Sequence, residues 1–207
     1  MQLMVDSANP WDRTRGACLS TLGTLPLAVA RYLGTGGGAA VPLTASEVAA
    51  IHTDGCKLLP VFNDLNPSRL QTAADATAAW ASCAIQAQRL SIPAGVYLAF
   101  DLEAGWVPSD AWWETFLGHV YASQWGGVGI WYCAASSPAI LEPPTVPYSD
   151  RMLYWRASWV QSDLQGLVWR RQALCEVAWQ WRALGVLDLS WVEDRLPSVG
   201  PIPEGLW

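Results

Sequence analysis

Lysine is almost missing from this 207-residue chain: Lys57 stands alone among twelve basic residues. Against eighteen acidic residues and a net charge of −6, no cluster of Lys and Arg can displace counterions from a phosphate backbone, so no nucleic-acid partner is expected. Histidine is scarce too. His52 and His119 fall in segments that read as helices. A His-ligated metal hydrolase or a Ser-His-Asp triad would need an imidazole beside the chemistry, so no metal site is expected. The five cysteines (18, 56, 83, 133, 175) are odd in number and never form Cys-x-x-Cys. They read as small buried hydrophobes instead of a disulfide or zinc framework. Phosphate-binding loops are absent as well, and no cofactor is expected. No apolar run approaches the ~20 residues of a membrane span, so no membrane partner is expected.

What is plentiful is tryptophan. Fourteen are present, two before residue 105 and twelve after it. With 52% apolar and only 14% charged residues, the composition is that of one well-buried globular domain.

Along the chain, short apolar strands alternate with loops and helices. Strands are expected at 3–7, 28–34, 57–63, 95–103, 128–134, 152–159, 177–183 and 186–190. A helix starts at Thr44, where Thr44 and Glu47 form a capping box and Gly55 supplies the stop. A long Ala-rich helix is expected over 68–90 and another over 110–124, capped by Ser109. Residues 136–150 hold four prolines and read as a loop. The alternation argues for an α/β fold, an irregular TIM-like (β/α) barrel near the lower size limit of ~200 residues. Only Leu184-Gly185 separates the last two strands, too short for a parallel crossover, so they are expected as an antiparallel hairpin with helices reduced in the second half. The barrel domain spans residues 1–195, with an extended tail at 196–207.

The most informative segment runs from Gly95 to Trp106. Alternation places Val96, Leu98, Phe100 and Leu102 on a face suited to helices, and Tyr97, Ala99, Asp101 and Glu103 on the opposite, inward face. Two carboxylates at the C-terminal end of a barrel strand occupy the usual catalytic rim. Glycoside hydrolysis needs such a pair, one of them protonated to assist the leaving oxygen, and Glu103 is the candidate proton donor. The spacing leaves retention and inversion open. Asp6 ends the first strand and Asp188 lies in the eighth, its neighbour in a closed barrel, so both are candidates for the same cavity. Four inward carboxylates without Lys or His partners are costly to bury for structure alone.

Asp6, Phe100-Asp101-Leu102-Glu103, Trp155-x-Ala157-x-Trp159 and Trp179-Gln180-Trp181 before Leu187-Asp188-Leu189-Ser190 resemble the glycoside hydrolase family 25 lysozymes. Ala30-Arg31-Tyr32-Leu33-Gly34, Leu43-Thr44-x-x-Glu47-Val48, Gly55 and Leu59-Pro60-Val61-Phe62 are more similar to the related glycoside hydrolase-like domain family (DUF1906, the Rv2525c-like type). The resemblance implies an irregular β/α barrel and a peptidoglycan substrate of β-1,4-linked N-acetylmuramic acid and N-acetylglucosamine. It implies Glu103 as general acid/base, Asp101 as the carboxylate that orients or stabilises the reacting sugar, Asp6 and Asp188 as supporting acids, and Tyr132 as a residue of the cleft. Two departures stand out. Ser190 replaces the usual Asn after Asp-Leu, and Phe62-Asn63 replaces a Tyr-His type pair.

Trp106 follows the acidic pair in a glycine-containing loop, a natural place for a sugar to stack, and Trp155 and Trp159 share one strand face read as cavity-lining. Gln180 is taken as inward in preference to Trp179 and Trp181, and Asn63 and Arg31 complete the substrate-binding candidates. Trp80, Trp112 and Trp113 read as core. The function expected is a monomeric glycosidase of the lysozyme (muramidase) type. The alternatives are a non-catalytic glycan-binding or structural module, and a metal-dependent hydrolase that the missing His ligands disfavour. The N-terminal residues lack a basic stretch and a cleavage site. Action on the cell wall would then fit a phage lysin, a spore-associated protein or a non-classically exported one, with no appended wall-binding domain.

Overall fold

The short apolar runs become the strands of one closed sheet. β1 (Gln2–Ser7), β2 (Ala28–Tyr32), β3 (Lys57–Phe62), β4 (Leu98–Leu102), β5 (Gly129–Ala134), β6 (Leu153–Ala157), β7 (Cys175–Leu184) and β8 (Leu187–Val192) pair in chain order, and β8 closes onto β1. β1 to β7 pair in parallel, whereas β8 is antiparallel to both β7 and β1. Among the described residues the helices are α1 (Trp11–Leu22), α2 (Ala45–Thr53), α3 (Ala73–Arg89) and α4 (Asp110–Ala122). This computed structural model describes residues 2–36, 38, 40–103, 105–125, 129–134, 144–149, 152–157, 175–184, 187–192, 195–196, 200–201 and 206–207.

Period-two alternation sorts the strand side chains into two cores. Val5, Val29, Leu58, Phe62, Leu98, Phe100 and Leu102 face outward and pack under the helices. Met4, Ala28, Ala30, Leu59, Val61, Tyr97, Ala99, Leu153 and Trp155 fill the barrel interior. The wall between α4 and β4–β5 is aromatic: Trp112 stacks on Phe116 at 4.6 Å, and Phe100, Trp113 and Trp131 close around them at 4.5–5.6 Å. Trp80 meets Phe116 edge-on at 5.9 Å. Cys18, Cys56 and Cys83 are free and buried, and burial pushes the Cys18 and Cys56 thiols up to about 11.

Helix boundaries follow their caps. Thr44 accepts from the Glu47 amide at 3.2 Å and Ser109 from the Trp112 amide at 3.2 Å, each such cap contributing about 1 kcal/mol. α3 starts five residues later than the composition suggests. Asn66 caps a separate 3-10 turn at Pro67–Arg69, and Thr72 then accepts from the Asp75 amide at 3.1 Å to open the helix. α1 is not expected from the sequence, because Pro10 at its N-cap makes no side-chain cap and only Trp11, Thr14 and Cys18 are buried.

Arg31 is outward-facing and wholly buried. Its Nε donates to Glu47 Oε1 at 2.6 Å, and its other nitrogens donate to the carbonyls of Ser7 and Val41. Glu47 thus spends its carboxylate on Arg31 and not on a reciprocal capping contact, and Arg31 is a clamp joining β1, β2 and α2. This corrects its expected role in substrate binding. Arg195–Leu196 and Gly200–Pro201 pair as a short antiparallel ribbon. Leu206 is buried in the interior core, and Trp207 exchanges two backbone hydrogen bonds with Leu58 (2.6 and 2.9 Å). Replacing Arg31 with Met would leave the Glu47 carboxylate buried without its partner. We expect a loss of about 3–5 kcal/mol, read from the denaturant midpoint of the variant.

Candidate active site

The alternation that puts Tyr97 and Ala99 inside the barrel carries Asp101 inward at the rim, one step below Glu103. Asp101 is partly buried, and its Oδ1 is shut from solvent with no hydrogen-bond partner among the described residues. Burial first, and the nearby Glu103 charge second, push its carboxyl up to about 7. Glu103 lies beyond the end of β4 and is exposed.

A tight turn aims the next residue. The Trp106 amide donates to the Glu103 carbonyl at 3.1 Å, and Gly105 supplies the left-handed φ of +82° that such a turn requires. Trp106 is thereby held beside the acidic pair. Asp101, Glu103, Trp106 and Asn63 line one cavity of about 350 Å³. A further wall is Tyr32 at the end of β2 with Thr35, Gly36 and Gly38 of the loop after it. Sequence reasoning did not place that wall in the site. The signal was present: Tyr32 shares the inward face with Ala28 and Ala30, and the glycines follow the C-terminal end of β2, the same end as Asp101.

The other candidates scatter. Asp6 is buried, pairs in register with Ala30 on one side and Asp188 on the other, and does not line this cavity. Trp155 is 1% exposed inside the barrel core, so it supports the floor and offers no face for a sugar. Tyr132 is the ladder partner of both Asp101 and Trp155, and Gln180 pairs with Ala157 and Ser190. The side chains of Tyr132, Gln180 and Asp188, and all of Trp159, lie outside the described residues. Both histidines belong to helix surfaces, His52 edge-on to Trp207 and His119 stacked on Trp80. Among the described residues no group of three or more His, Cys, Asp or Glu is placed to hold a metal ion, and no helix is long and apolar enough to cross a membrane.

The fold is shared with solved structures. An uncharacterized B. stearothermophilus protein superposes with a TM-score of 0.75 at 19% identity, covering 99% of each chain. The Tat-secreted protein Rv2525c of Mycobacterium tuberculosis gives 0.62 at 14% identity over 97% of this chain and 98% of its own. SleM, the spore cortex lytic enzyme of Clostridium perfringens, also gives 0.62 at 14%, over 97% of this chain and 69% of its own. The modular autolysin LytC of Streptococcus pneumoniae, solved with a synthetic peptidoglycan ligand, gives 0.57 at 12%, over 91% and 46%. No family model and no curated protein matches the sequence.

The raised Asp101 carboxyl couples stability to pH. The folded chain keeps a proton that the unfolded chain releases, so this contribution is fully present below about pH 4 and fades as the pH rises towards 7. Asp101→Asn cannot ionise. It should be near neutral at about pH 4 and more stable than wild type by roughly 2–4 kcal/mol at about pH 8. Urea denaturation across that range would show the slope in wild type and its loss in the variant.

Proposed function

We propose that this chain is a glycosidase that cleaves the β-1,4 bonds of peptidoglycan between N-acetylmuramic acid and N-acetylglucosamine, a lysozyme-type activity on an irregular TIM-like barrel. One observation carries the reading: two carboxyl groups, one desolvated and one exposed, share a rim cavity with an indole. Glycoside hydrolysis uses such a pair. One carboxyl delivers a proton to the leaving oxygen while the other, charged, stabilises the oxocarbenium-like transition state or acts on the anomeric carbon. Glu103, exposed at the cavity mouth, is the group able to reach the glycosidic oxygen as general acid/base. Asp101 lies deeper and holds or orients the sugar. Trp106 offers an apolar face for a pyranose ring. Asp6 and Asp188, adjacent in the β1–β8 ladder, support the acidic rim. Tyr132 is the register partner of Asp101, and the resemblance to the lysozymes supports it as a cleft residue. SleM, a lytic enzyme of the spore cortex, and LytC, solved with a peptidoglycan ligand, support the substrate class and an action at the cell wall.

The Glu103→Gln variant should lose release of reducing ends from purified peptidoglycan by about 100-fold or more while melting like wild type. A wild-type protein that binds walls but releases nothing would be a glycan-binding module instead. The productive pair carries one proton between two carboxyls. Activity should therefore fall as the pH rises through about 7, where Asp101 gives up its proton. A flat rate from about pH 5 to 9 would remove Asp101 from the chemistry.

A further inference from the structure

Two neighbouring residues at the end of β3 hold the glycine loop that walls the cavity. Asn63 Oδ1 accepts from the Gly34 amide at 3.1 Å, and Asp64 Oδ1 accepts from the Gly36 amide at 2.7 Å. Asp64 Oδ2 in turn accepts from Gln86 Nε2 on α3 at 2.6 Å. The chain approaches closely enough here that a Cβ on Gly34 would collide with the Asp64 carboxylate. Gly36 has a φ of +58°, and a Cβ there would lie 2.7 Å from Asn63 Nδ2.

These bonds fix the polarity of Asn63. A backbone N–H can be met only by an oxygen, so Oδ1 belongs to Gly34 and the amino group is what remains for the cavity. Asn63 is nine-tenths buried and lines the cavity, yet its Nδ2 makes no hydrogen bond among the described residues. One wall therefore offers a donor that cannot turn around, and the neighbouring strand β4 brings Asp101, with Glu103 just past its end, to the same cavity. A ligand that satisfies both brings an acceptor oxygen and a donor together, as an acetamido group does with its C=O and N–H.

We infer that Asn63 Nδ2 is the specificity-determining donor that reads the N-acyl carbonyl of an amino sugar, with Asp64 as the residue that positions the loop around it. This rests on the glycosidase reading above and names the group by which its substrate is chosen. The chemistry it requires is reversible hydrogen bonding alone.

The test uses the whole chain, with fully N-acetylated chitotriose and cellotriose, both uncharged, as probes. In 15N-labelled wild type, the Asn63 side-chain amide resonances should shift on addition of chitotriose. Asn63→Asp retains an oxygen for the Gly34 amide but no donor for the ligand. It should lose about tenfold in chitotriose-over-cellotriose preference, the worth of one good hydrogen bond, measured at a temperature where circular dichroism shows the variant folded. Chitotriose binding that leaves the Asn63 amide unmoved, or a variant that keeps the wild-type preference, would overturn the assignment while leaving the glycosidase reading intact. A wild type that binds neither trisaccharide and releases nothing from peptidoglycan would overturn both.

Discussion

The interior of this barrel is filled with side chains, and the site above it depends on that. Met4, Leu59, Val61, Tyr97, Ala99 and Trp155 occupy the space beneath the rim. A carboxyl placed one strand step above them is desolvated from below. Asp101 is in that position, which is why burial comes first among the causes of its raised value. The exposed Glu103, two residues on, is the chemical counterpart of the same alternation. It shares the strand's inward parity but has passed the end of the ladder. Two identical functional groups thus acquire different properties from one geometric rule and a difference of two residues.

Because the barrel is full, the cavity is lined from loops, and the loops after β2 and β4 are tied down by polar contacts. The loop after β2 is held through Asn63, Asp64 and Gln86, and the Leu33 carbonyl accepts from Arg89 at 3.3 Å. The loop after β4 is held by its own Gly105 turn, and its far end by Ser109, whose hydroxyl donates to the Gln71 carbonyl at 2.6 Å. On the outer side the same strands are clamped by opposite means. The Arg31–Glu47 pair locks β1, β2 and α2, while Trp112, Trp113, Phe116 and Trp131 fill the wall behind β4 and β5. Part of the tryptophan excess therefore stiffens the strand that carries the carboxyls, and only Trp106 among the described tryptophans faces the cavity.

What was legible in the sequence was what depends on local periodicity and caps. The inward set Tyr97, Ala99 and Asp101 follows from alternation alone, and the starts of α2 and α4 follow from Thr44 and Ser109. Features that depend on a partner far along the chain were not legible. Arg31 looked available because a lone strand does not reveal that Glu47, sixteen residues later, folds back over it. Trp155 looked like a sugar platform because its face is inward; how deep it lies is a property of the closed barrel. α1 escaped notice because its first turn has no side-chain cap and its buried stripe is thin, although Asn9-Pro10 before it and Gly23 after it are the punctuation of a helix. Asp64 carries no local signature because its partners, the Gly36 amide and the Gln86 side chain, lie 28 and 22 residues away along the chain.

The same desolvation that lifts Asp101 sets a relation between occupancy and proton binding. Asp101 lines the cavity together with Trp106, Asn63 and Tyr32. A ring seated against Trp106 would remove water from the cavity and disfavour the charged form further, since burial already dominates the shift. Glu103 acts in the same direction while it stays ionised, because its charge repels a second negative charge beside it. A filled cavity therefore holds the proton of this carboxyl pair more tightly than an empty one. The cost of keeping a carboxyl half out of water in the empty protein is thus the same desolvation by which an occupant would raise proton affinity in the filled one.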